Sequence, residues 1–321
     1  MFGYAIRRTL WMIPLLWAVA TVTFLLMHAV PGGPFASEKP VPPAVQEALN
    51  ARYNLDKSFL EQYVLYFWNL LHFDLGISFR ADTEVIDVLE QGLPITLQLG
   101  GFAFLYALVL GMSLGIIAAL NHNRVGDYLG VFFATIGTAV PNFVIAPLLI
   151  LVFSVELGWT GVLGWGGPQA WVWQPEFWNP GNWSLRTMVL PVVSLGTLPA
   201  AYIARITRAS VLEVLSQDYI RTARAKGLAE RAVILRHVVK NSMVPILTVL
   251  GPIFAALVTG SFIVEQIFAI NGVGRHFVQA VFRRDYELIM GITLFYALVV
   301  ATANLVIDIL YGVVDPRIRY R

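Results

Sequence analysis

The chain has 321 residues, of which 57% are hydrophobic and only 13% are charged, and its formal net charge is +2. Soluble domains carry about 25% charged residues. This composition therefore excludes a globular surface that faces water on all sides and predicts a chain that lies in lipid. Cysteine is absent, which excludes disulfides and Cys-ligated metal sites.

Six apolar segments are long enough to cross a bilayer core of about 30 Å as helices. In chain order they are 9–30, 94–120, 128–155, 187–203, 244–265 and 288–314. Transmembrane β-strands would instead alternate in hydrophobicity over about ten residues. Although Arg7 and Arg8 precede the first segment as in a signal peptide, its apolar run is too long and lacks an A-x-A-like site. We therefore expect an all-α integral membrane protein with six transmembrane helices, the first of them retained.

Lys and Arg are concentrated on one side of these segments, as they are in cytoplasmic loops. That side holds Arg7, Arg8, Arg124, the eight basic residues of 205–240, Arg317, Arg319 and Arg321. This asymmetry predicts a multi-pass protein of the cytoplasmic membrane with both termini in the cytoplasm. Three arginines oppose the trend, namely Arg275, Arg283 and Arg284.

The predicted outer side carries two sizeable segments. Residues 31–93 form an extracytoplasmic segment that opens with the Pro- and Gly-rich PGGPFASEKPVPP and continues into an amphipathic helical pattern. Residues 156–186 hold six of the nine tryptophans. Trp favours the membrane interface, so this loop is either an interfacial anchor or a docking surface for an external partner.

Motifs of catalytic chemistry are missing from the sequence. It contains no P-loop, no H-E-x-x-H and no G-x-S-x-G, and its His residues are scattered. We therefore do not expect an enzyme, a metal site or a cofactor in this chain. Asn304 and Asp308 form a polar pair inside the last span, which we interpret as structural. Glu156 and Glu265 fall at outer helix ends, where hydration is expected.

The segment 218–241, DYIRTARAKGLAERAVILRHVVKN, is unusually basic for this chain. Its first part predicts a short helix in which Ile220, Ala223 and Gly227 share a narrow face of small residues, which allows close backbone approach. Gly227 can end that helix in the left-handed conformation. A second basic helix is predicted over 230–241. The charges either enforce cytoplasmic placement against anionic lipid or mark a docking helix for a cytoplasmic protein.

DYIRTARAKGL, a basic run and then NSMVPILT resemble the cytoplasmic loop of permease subunits of binding-protein-dependent ABC importers, closest to the dipeptide and oligopeptide branch. In that family an E-A-A-x-x-x-G loop forms a coupling helix that inserts into the ATPase subunit. Here Arg221, Thr222 and Ala223 occupy the E-A-A places and Gly227 is the glycine, in the T-A-R-A-K-G form typical of the peptide branch. The coupling residues that the resemblance implies are Tyr219, Ile220, Arg221, Thr222, Ala223, Arg224, Ala225, Lys226, Gly227 and Leu228.

The resemblance covers nearly the whole chain. Its further matches are Ile6-Arg7-Arg8, Pro31 to Pro34, Tyr53, Leu55, Gln62, Tyr63, Asp74, Gly76, Ser78, Pro94, Thr96, Pro141, Phe143, Asp308, Tyr311, Asp315, Pro316 and Arg317. One departure lies after the fifth span, where the family reads P-G-x-G and this chain reads Asn271-Gly272-Val273-Gly274. The glycines preserve the turn, and the missing Pro is expected to alter its rigidity.

The resemblance implies a type I ABC importer permease fold and import of oligopeptides, with an oligosaccharide or a nickel complex as the alternative cargo. The implied partners are a second homologous permease, two ATPases that hold ATP and Mg, and an external solute-binding protein; no nucleic acid is implied. The domain division is 1–30, the extracytoplasmic 31–93, a five-helix core 94–315 with the coupling loop 205–243, and a basic tail 316–321. A stand-alone secondary carrier and a membrane scaffold are the rival interpretations. Because Gly227 lies on the small face, we expect a bulky substitution there to uncouple transport.

Overall fold

The computed structural model describes residues 2–31, 33–35, 42–259 and 261–314, without the side chains of 2–5, 307, 308 and 310–314. The predicted basic tail 316–321 lies outside these residues. Within them the chain is helical, with no strand beyond one antiparallel bridge between Ile77 and Glu84. The α-helices are α1 (Phe2–Ala29), α2 (Pro43–Arg52), α3 (Phe59–Leu71), α4 (Val85–Leu120), α5 (Val125–Ala139), α6 (Asn142–Leu149), α7 (Pro175–Trp178), α8 (Leu185–Leu215), α9 (Asp218–Ala225), α10 (Glu230–Ala232), α11 (Lys240–Thr259), α12 (Phe262–Ile267), α13 (Val273–Arg283) and α14 (Tyr286–Val314).

Five stretches of the described chain are long and apolar enough to cross a membrane: Ile6–Ala29, Val85–Leu120, Leu185–Leu215, Glu230–Ile267 and Tyr286–Val306. A sixth crossing is made by α5 together with α6, which continues through a π-helical stretch to Glu156. The prediction of an all-α membrane protein is confirmed. The count of six holds when the bent pair is taken as one span.

The third predicted span is not the continuous helix that its apolar length suggested. Its two halves meet at an angle of 105°. Val140 is extended, with φ −98° and ψ 119°, and Pro141 precedes the first turn of α6. A residue before proline is sterically pushed out of the α region, which explains why α5 ends here.

Other helices extend beyond their predicted ends. α4 begins at Val85 and therefore takes in the last nine residues that were assigned to the extracytoplasmic segment. α8 continues past Ile203 to Leu215. The predicted separate basic helix 230–241 is instead continuous with the fifth span, because α10 passes through the π-helical stretch Val233–Val239 directly into α11.

The centre of the fold is the contact between α4 and α8, where glycines allow the two backbones to approach. A Cβ atom at Gly111 would lie 2.6 Å from the carbonyl oxygen of Ala200, and one at Gly115 would lie 2.6 Å from that of Ala204. Small residues one turn apart are a common means of close helix packing in membranes. Any larger side chain at these glycines would separate the two helices.

The segment that was predicted to be extracytoplasmic is fastened to the start of α14 through Asp285, which is buried. The Asp285 carboxylate accepts hydrogen bonds from the Ser78 hydroxyl at 2.5 Å, from the Phe79 N–H at 3.1 Å and from the Arg80 N–H at 3.4 Å. Within the segment, α3 begins with a capping box between Ser58 and Glu61, and its hydrogen bonds hold the pKa of Glu61 below its usual range. The segment is therefore docked on the helical core.

One expectation about the outer side is wrong. Glu265 was expected to be hydrated at a helix end, but its side chain is fully buried. Glu156 is exposed, as expected. The helix that was expected to run to Glu265 ends at Thr259, and Glu265 lies in the separate short helix α12.

Candidate functional site

α9 is the short helix that the basic segment predicted, and its end is built as expected. Gly227 has φ +78°, in the left-handed region that only glycine adopts at little cost. Its N–H donates to the Arg224 carbonyl at 2.9 Å, and the Leu228 N–H donates to the Ala223 carbonyl at 3.4 Å. These bonds satisfy carbonyls that a helix end otherwise leaves without partners.

The small face of α9 packs against this chain and is not free for a partner. Ile220 is fully buried and Ala223 nearly so, in a cluster with Val211 of α8 and with Val233 and Val238 of the π-helical stretch. Gly227 does not belong to this face, because a Cβ atom there would have nothing within 4 Å. The predicted small face therefore loses one member, and Gly227 is required for its backbone conformation, not for room inside this chain.

The opposite side of α9 is open. All the other predicted coupling residues are exposed: Tyr219, Arg221, Thr222, Arg224, Ala225, Lys226, Gly227 and Leu228. We call this set the outer face of α9. It combines two apolar groups at its ends with cations between them, and the Tyr219 hydroxyl accepts a hydrogen bond from the Asn241 amide at 3.1 Å.

The cations of the outer face differ in how strongly this chain engages them. The Arg224 guanidinium makes two bonds to the Glu230 carboxylate, at 2.6 and 3.1 Å, and this partner raises the pKa of Arg224. Arg221 lies 3.6 Å from Asp218, and both side chains are largely exposed. Lys226 has no ion pair among the described residues. Arg221 and Lys226 are therefore the cations available to a partner.

A partly buried ion pair that the sequence reasoning missed joins the first turn of α5 to α8. The Arg208 guanidinium donates to the two carboxylate oxygens of Asp127 at 2.6 and 2.8 Å. Asp127 also accepts from the Asn123 N–H at 2.9 Å and lies 3.1 Å from the His122 ring. Planar, two-point Arg–carboxylate contacts are geometrically specific. An Asp at the start of an apolar run was the available signal, but its partner lies 81 residues away.

α9 packs against elements that extend through the core of the fold. It packs on the π-helical stretch, which continues as α11 across the core. The Ser210 hydroxyl of α8 donates to the Ser242 carbonyl of α11 at 2.9 Å, so both helices that flank α9 are tied together. A force applied to α9 would therefore act on the base of α8 and α11.

Two further predicted features have different outcomes. Asn304 is half-buried on α14, whereas the Asp308 side chain lies outside the described residues, so their pairing stays a prediction. The tryptophan-rich loop is held by Gln98 of α4, which donates to the Pro168 carbonyl at 2.9 Å and accepts from the Trp165 indole at 3.0 Å. Trp173 is 71% exposed, so the loop has an outward aromatic surface that suits either interpretation.

Comparison with known proteins identifies the family. The family described as "Binding-protein-dependent transport system inner membrane component" matches residues 111–320, and its N-terminal companion matches 1–100. The chain is 40% identical over 320 residues to the dipeptide transport system permease protein DppB of Bacillus subtilis, covering 99% of this chain and 98% of the relative. It is also 40% identical over 321 residues to the oligopeptide transport system permease proteins OppB of Salmonella typhimurium and of Escherichia coli K12, with full coverage of both chains.

Solved structures share the fold at low identity. An amino acid ABC transporter matches with a TM-score of 0.53 at 18% identity, covering 70% of this chain and 93% of that one. The inward-facing MetNI methionine ABC transporter matches with a TM-score of 0.54 at 15% identity, covering 72% and 97%. The helical core is therefore of the type I importer kind. The chain belongs to the family of binding-protein-dependent transport system inner membrane components and is a multi-pass permease subunit of an ABC transporter, a transport component and not an enzyme.

Proposed function

We propose that this chain imports oligopeptides as one of two membrane subunits of an ABC importer. Relatives that match it over the full length carry dipeptide and oligopeptide transport names. An oligosaccharide or a nickel complex is the alternative cargo. A second homologous permease, two cytoplasmic ATPases that hold ATP and Mg, and an external solute-binding protein complete the complex; neither a cofactor in this chain nor nucleic acid is needed.

The observation that carries the coupling role is the two-sidedness of α9. Its inner side is seated on the protein through Ile220 and Ala223, and its outer face presents cations and two apolar groups. A helix that transmits force must not tilt on its base, and this seat resists tilting because both inner side chains are desolvated. We assign ATPase docking to the outer face, and seating to the inner pair.

The topology follows from this assignment. α9 and both termini lie in the cytoplasm, and 31–84 together with the tryptophan-rich loop lies outside. The proposed organisation keeps the division into 1–30, 31–93, 94–315 and 316–321 with one change. Residues 85–93 move to the core, because they form the first turns of α4. ATP-driven closure of the ATPases moves α9 inward, and α11 carries that movement across the membrane.

A charge series tests the docking assignment. Replacing both Arg221 and Lys226 with Ala should weaken co-purification of the ATPases by up to about fivefold for each cation lost, because an exposed pair contributes at most about 1 kcal/mol. Arg224→Ala and Glu230→Ala break the same internal pair, so their effects should match each other. Loss of ATPase binding in Arg224→Ala but not in Glu230→Ala would show that Arg224, like Arg221 and Lys226, contacts the ATPase directly.

Cargo is tested separately in proteoliposomes that contain both permeases and both ATPases, with the binding protein added outside. ATP-dependent uptake of a labelled pentapeptide is expected, with competition by unlabelled peptides but not by an oligosaccharide or a nickel complex. Uptake by this chain alone without ATP would support the secondary carrier, and the absence of any flux with no co-purifying ATPase would support the scaffold.

A further inference from the structure

The buried carboxylate of Glu265 is surrounded by hydrogen-bond donors. It accepts from the Ser261 hydroxyl, from the Thr96 hydroxyl at 3.0 Å and from the Arg275 N–H at 3.0 Å. Burying a carboxylate is costly unless such donors replace water. The arrangement therefore holds Glu265 in place as an acceptor on both oxygens.

The two glycines of the Asn271–Gly274 turn bring the backbone into close contact with this carboxylate. A Cβ atom at Gly272 would lie 2.4 Å from a Glu265 oxygen and 2.5 Å from the Thr96 hydroxyl, and one at Gly274 would lie 3.0 Å from the same carboxylate oxygen. Gly272 has φ −91°, which any residue can adopt. The glycine is therefore needed for room beside Glu265. The same turn is joined to α4 by the Val273 N–H, which donates to the Thr96 hydroxyl at 2.9 Å.

Three separate elements meet at this point. Thr96 belongs to α4. Ser261 and Glu265 belong to the start of α12, which follows α11, and Arg275 lies in the first turn of α13. The guanidinium of Arg275 closes the same turn by donating to the Ala269 carbonyl at 3.0 Å and to the Asn271 side chain at 2.6 Å. We call this set the outer node.

α11 is the element that links the outer node to α9. Its helical path begins in the basic segment at Glu230, passes beneath α9 through Val233 and Val238, and ends at Thr259, two residues before Ser261. A displacement at α9 thus reaches Thr259 along one continuous helical path, and α12, which carries Glu265, begins close by at Phe262. Whether α4 and α13 follow that displacement depends on whether the hydrogen bonds of the outer node stay intact.

We propose that Glu265 is a positioning residue of the transport cycle, which fastens the outer end of α11 to α4 and α13 so that movement at α9 is delivered to the extracytoplasmic side. The inference rests on the proposed coupling role of α9. Without Glu265 the ATPases still bind and hydrolyse ATP. The outer ends of α4 and α13, however, no longer follow the movement that starts at α9, and less cargo is transported per ATP.

The first test measures peptide uptake and ATP hydrolysis in the same proteoliposomes of the whole complex. In Glu265→Ala, uptake per ATP should fall about tenfold or more, because several buried hydrogen bonds to a carboxylate are lost together, while ATPase co-purification stays normal. Glu265→Gln should recover part of the ratio, since its oxygen can still accept from the Arg275 N–H. The matched control is Glu156→Ala at an exposed outer helix end, which should behave as wild type.

The second test needs no transport and measures whether Glu265 fixes the distance between α4 and α13. The natural sequence has no cysteine, so Ile86→Cys on α4 and Phe282→Cys on α13, both exposed, can carry a pair of spin labels in the complex. Their distance distribution should be narrow with Glu265 and clearly broader in Glu265→Ala. Should Glu265→Ala fail to assemble, Ser261→Ala removes one donor and should change both readouts in the same direction by a smaller amount.

The outcomes separate the claims. An unchanged distance distribution in an assembled Glu265→Ala complex refutes fastening, and a broadened distribution with an unchanged uptake per ATP refutes the coupling role. A wild-type complex that neither hydrolyses ATP nor takes up peptide refutes the proposed function instead. Equal loss in Glu265→Ala and Glu265→Gln, with ATPases no longer co-purifying, would reduce Glu265 to a folding requirement.

Discussion

Substitutions at Gly227 separate two reasons for a glycine at the end of α9. The expectation from sequence was that bulk at this position prevents seating. In the structure Gly227 has φ +78° and open space where a Cβ would lie. The backbone reason therefore predicts that Gly227→Ala is already harmful and that Gly227→Leu adds little within this chain.

The magnitude follows from the cost of the left-handed conformation, which is about 1–2 kcal/mol for a residue with a Cβ. That cost lowers the ratio of native to non-native conformers of the α9 end by a factor of roughly 5–30. We expect Gly227→Ala and Gly227→Leu to reduce ATP-driven peptide uptake to a similar extent, by up to that factor. Gly227→Asn should lose less, because Asn enters this region more readily than other residues.

The assay is initial uptake in vesicles, normalised to the amount of inserted protein and to the co-purified ATPase. Gly158→Ala is the matched control, because Gly158 has φ +64°, has nothing within 4 Å of a Cβ and follows α6 in the tryptophan-rich loop. It carries the same backbone cost away from α9 and should leave uptake per assembled complex unchanged. Wild-type uptake in Gly227→Ala together with none in Gly227→Leu would refute the reasoning and show that room against the ATPase is what matters.

Three other contacts give independent predictions. Asp285→Ala removes the acceptor shared by the Ser78 hydroxyl and the Phe79 and Arg80 N–H groups. It should make the 42–84 segment sensitive to limited proteolysis, whereas Asp82→Ala, whose ion pair is exposed, should not. Asp127→Leu should destabilise the protein by about 1–3 kcal/mol because Arg208 loses its partner; adding Arg208→Leu should recover part of that loss in detergent melting curves, and simple additivity would contradict the pair. Gln98→Ala should accelerate proteolytic cleavage within residues 157–184, since three hydrogen bonds to that loop disappear; an unchanged cleavage rate would mean that Gln98 does not hold the loop.

Local chemistry was the part of this fold that the sequence allowed us to predict. Long apolar runs require helices because backbone polar groups have no water to bind in lipid. The left-handed conformation at Gly227 was predictable because a Cβ atom makes that conformation costly for other residues. The bend at Pro141 was equally local in origin. It was missed because hydropathy was counted by length, although the Val-Pro dipeptide disfavours a continuous helix on its own.

Long-range pairing was the part that could not be predicted. Glu265 was assigned to water because it stands at the end of an apolar run. Its nearby donors, the Ser261 hydroxyl and the Arg275 N–H, could equally serve a carboxylate at the surface, so they did not predict burial. Its donor Thr96 lies 169 residues away on α4. The same holds for the face of α9, since periodicity identified Ile220 and Ala223 but could not say whether this chain or a partner covers them.

Two of the three arginines that opposed the charge asymmetry, Arg275 and Arg284, acquire a physical explanation from their contacts. Arg275 donates to the Ala269 carbonyl, and Arg284 donates to the Pro31 carbonyl at 2.8 Å. Arg80, from the same proposed outer side, donates to the carbonyls of Arg283 and Pro34, both at 3.1 Å. Carbonyls outside regular helices lack a partner within the helix and accept such donors, and a guanidinium supplies several donors in a fixed geometry. These arginines therefore tie the ends of loops to the helical core, a role that a count of charges cannot distinguish from a topology signal. In contrast, Lys226 on the outer face of α9 has no ion pair within the described chain, and its proposed role in ATPase docking rests on the charge series alone.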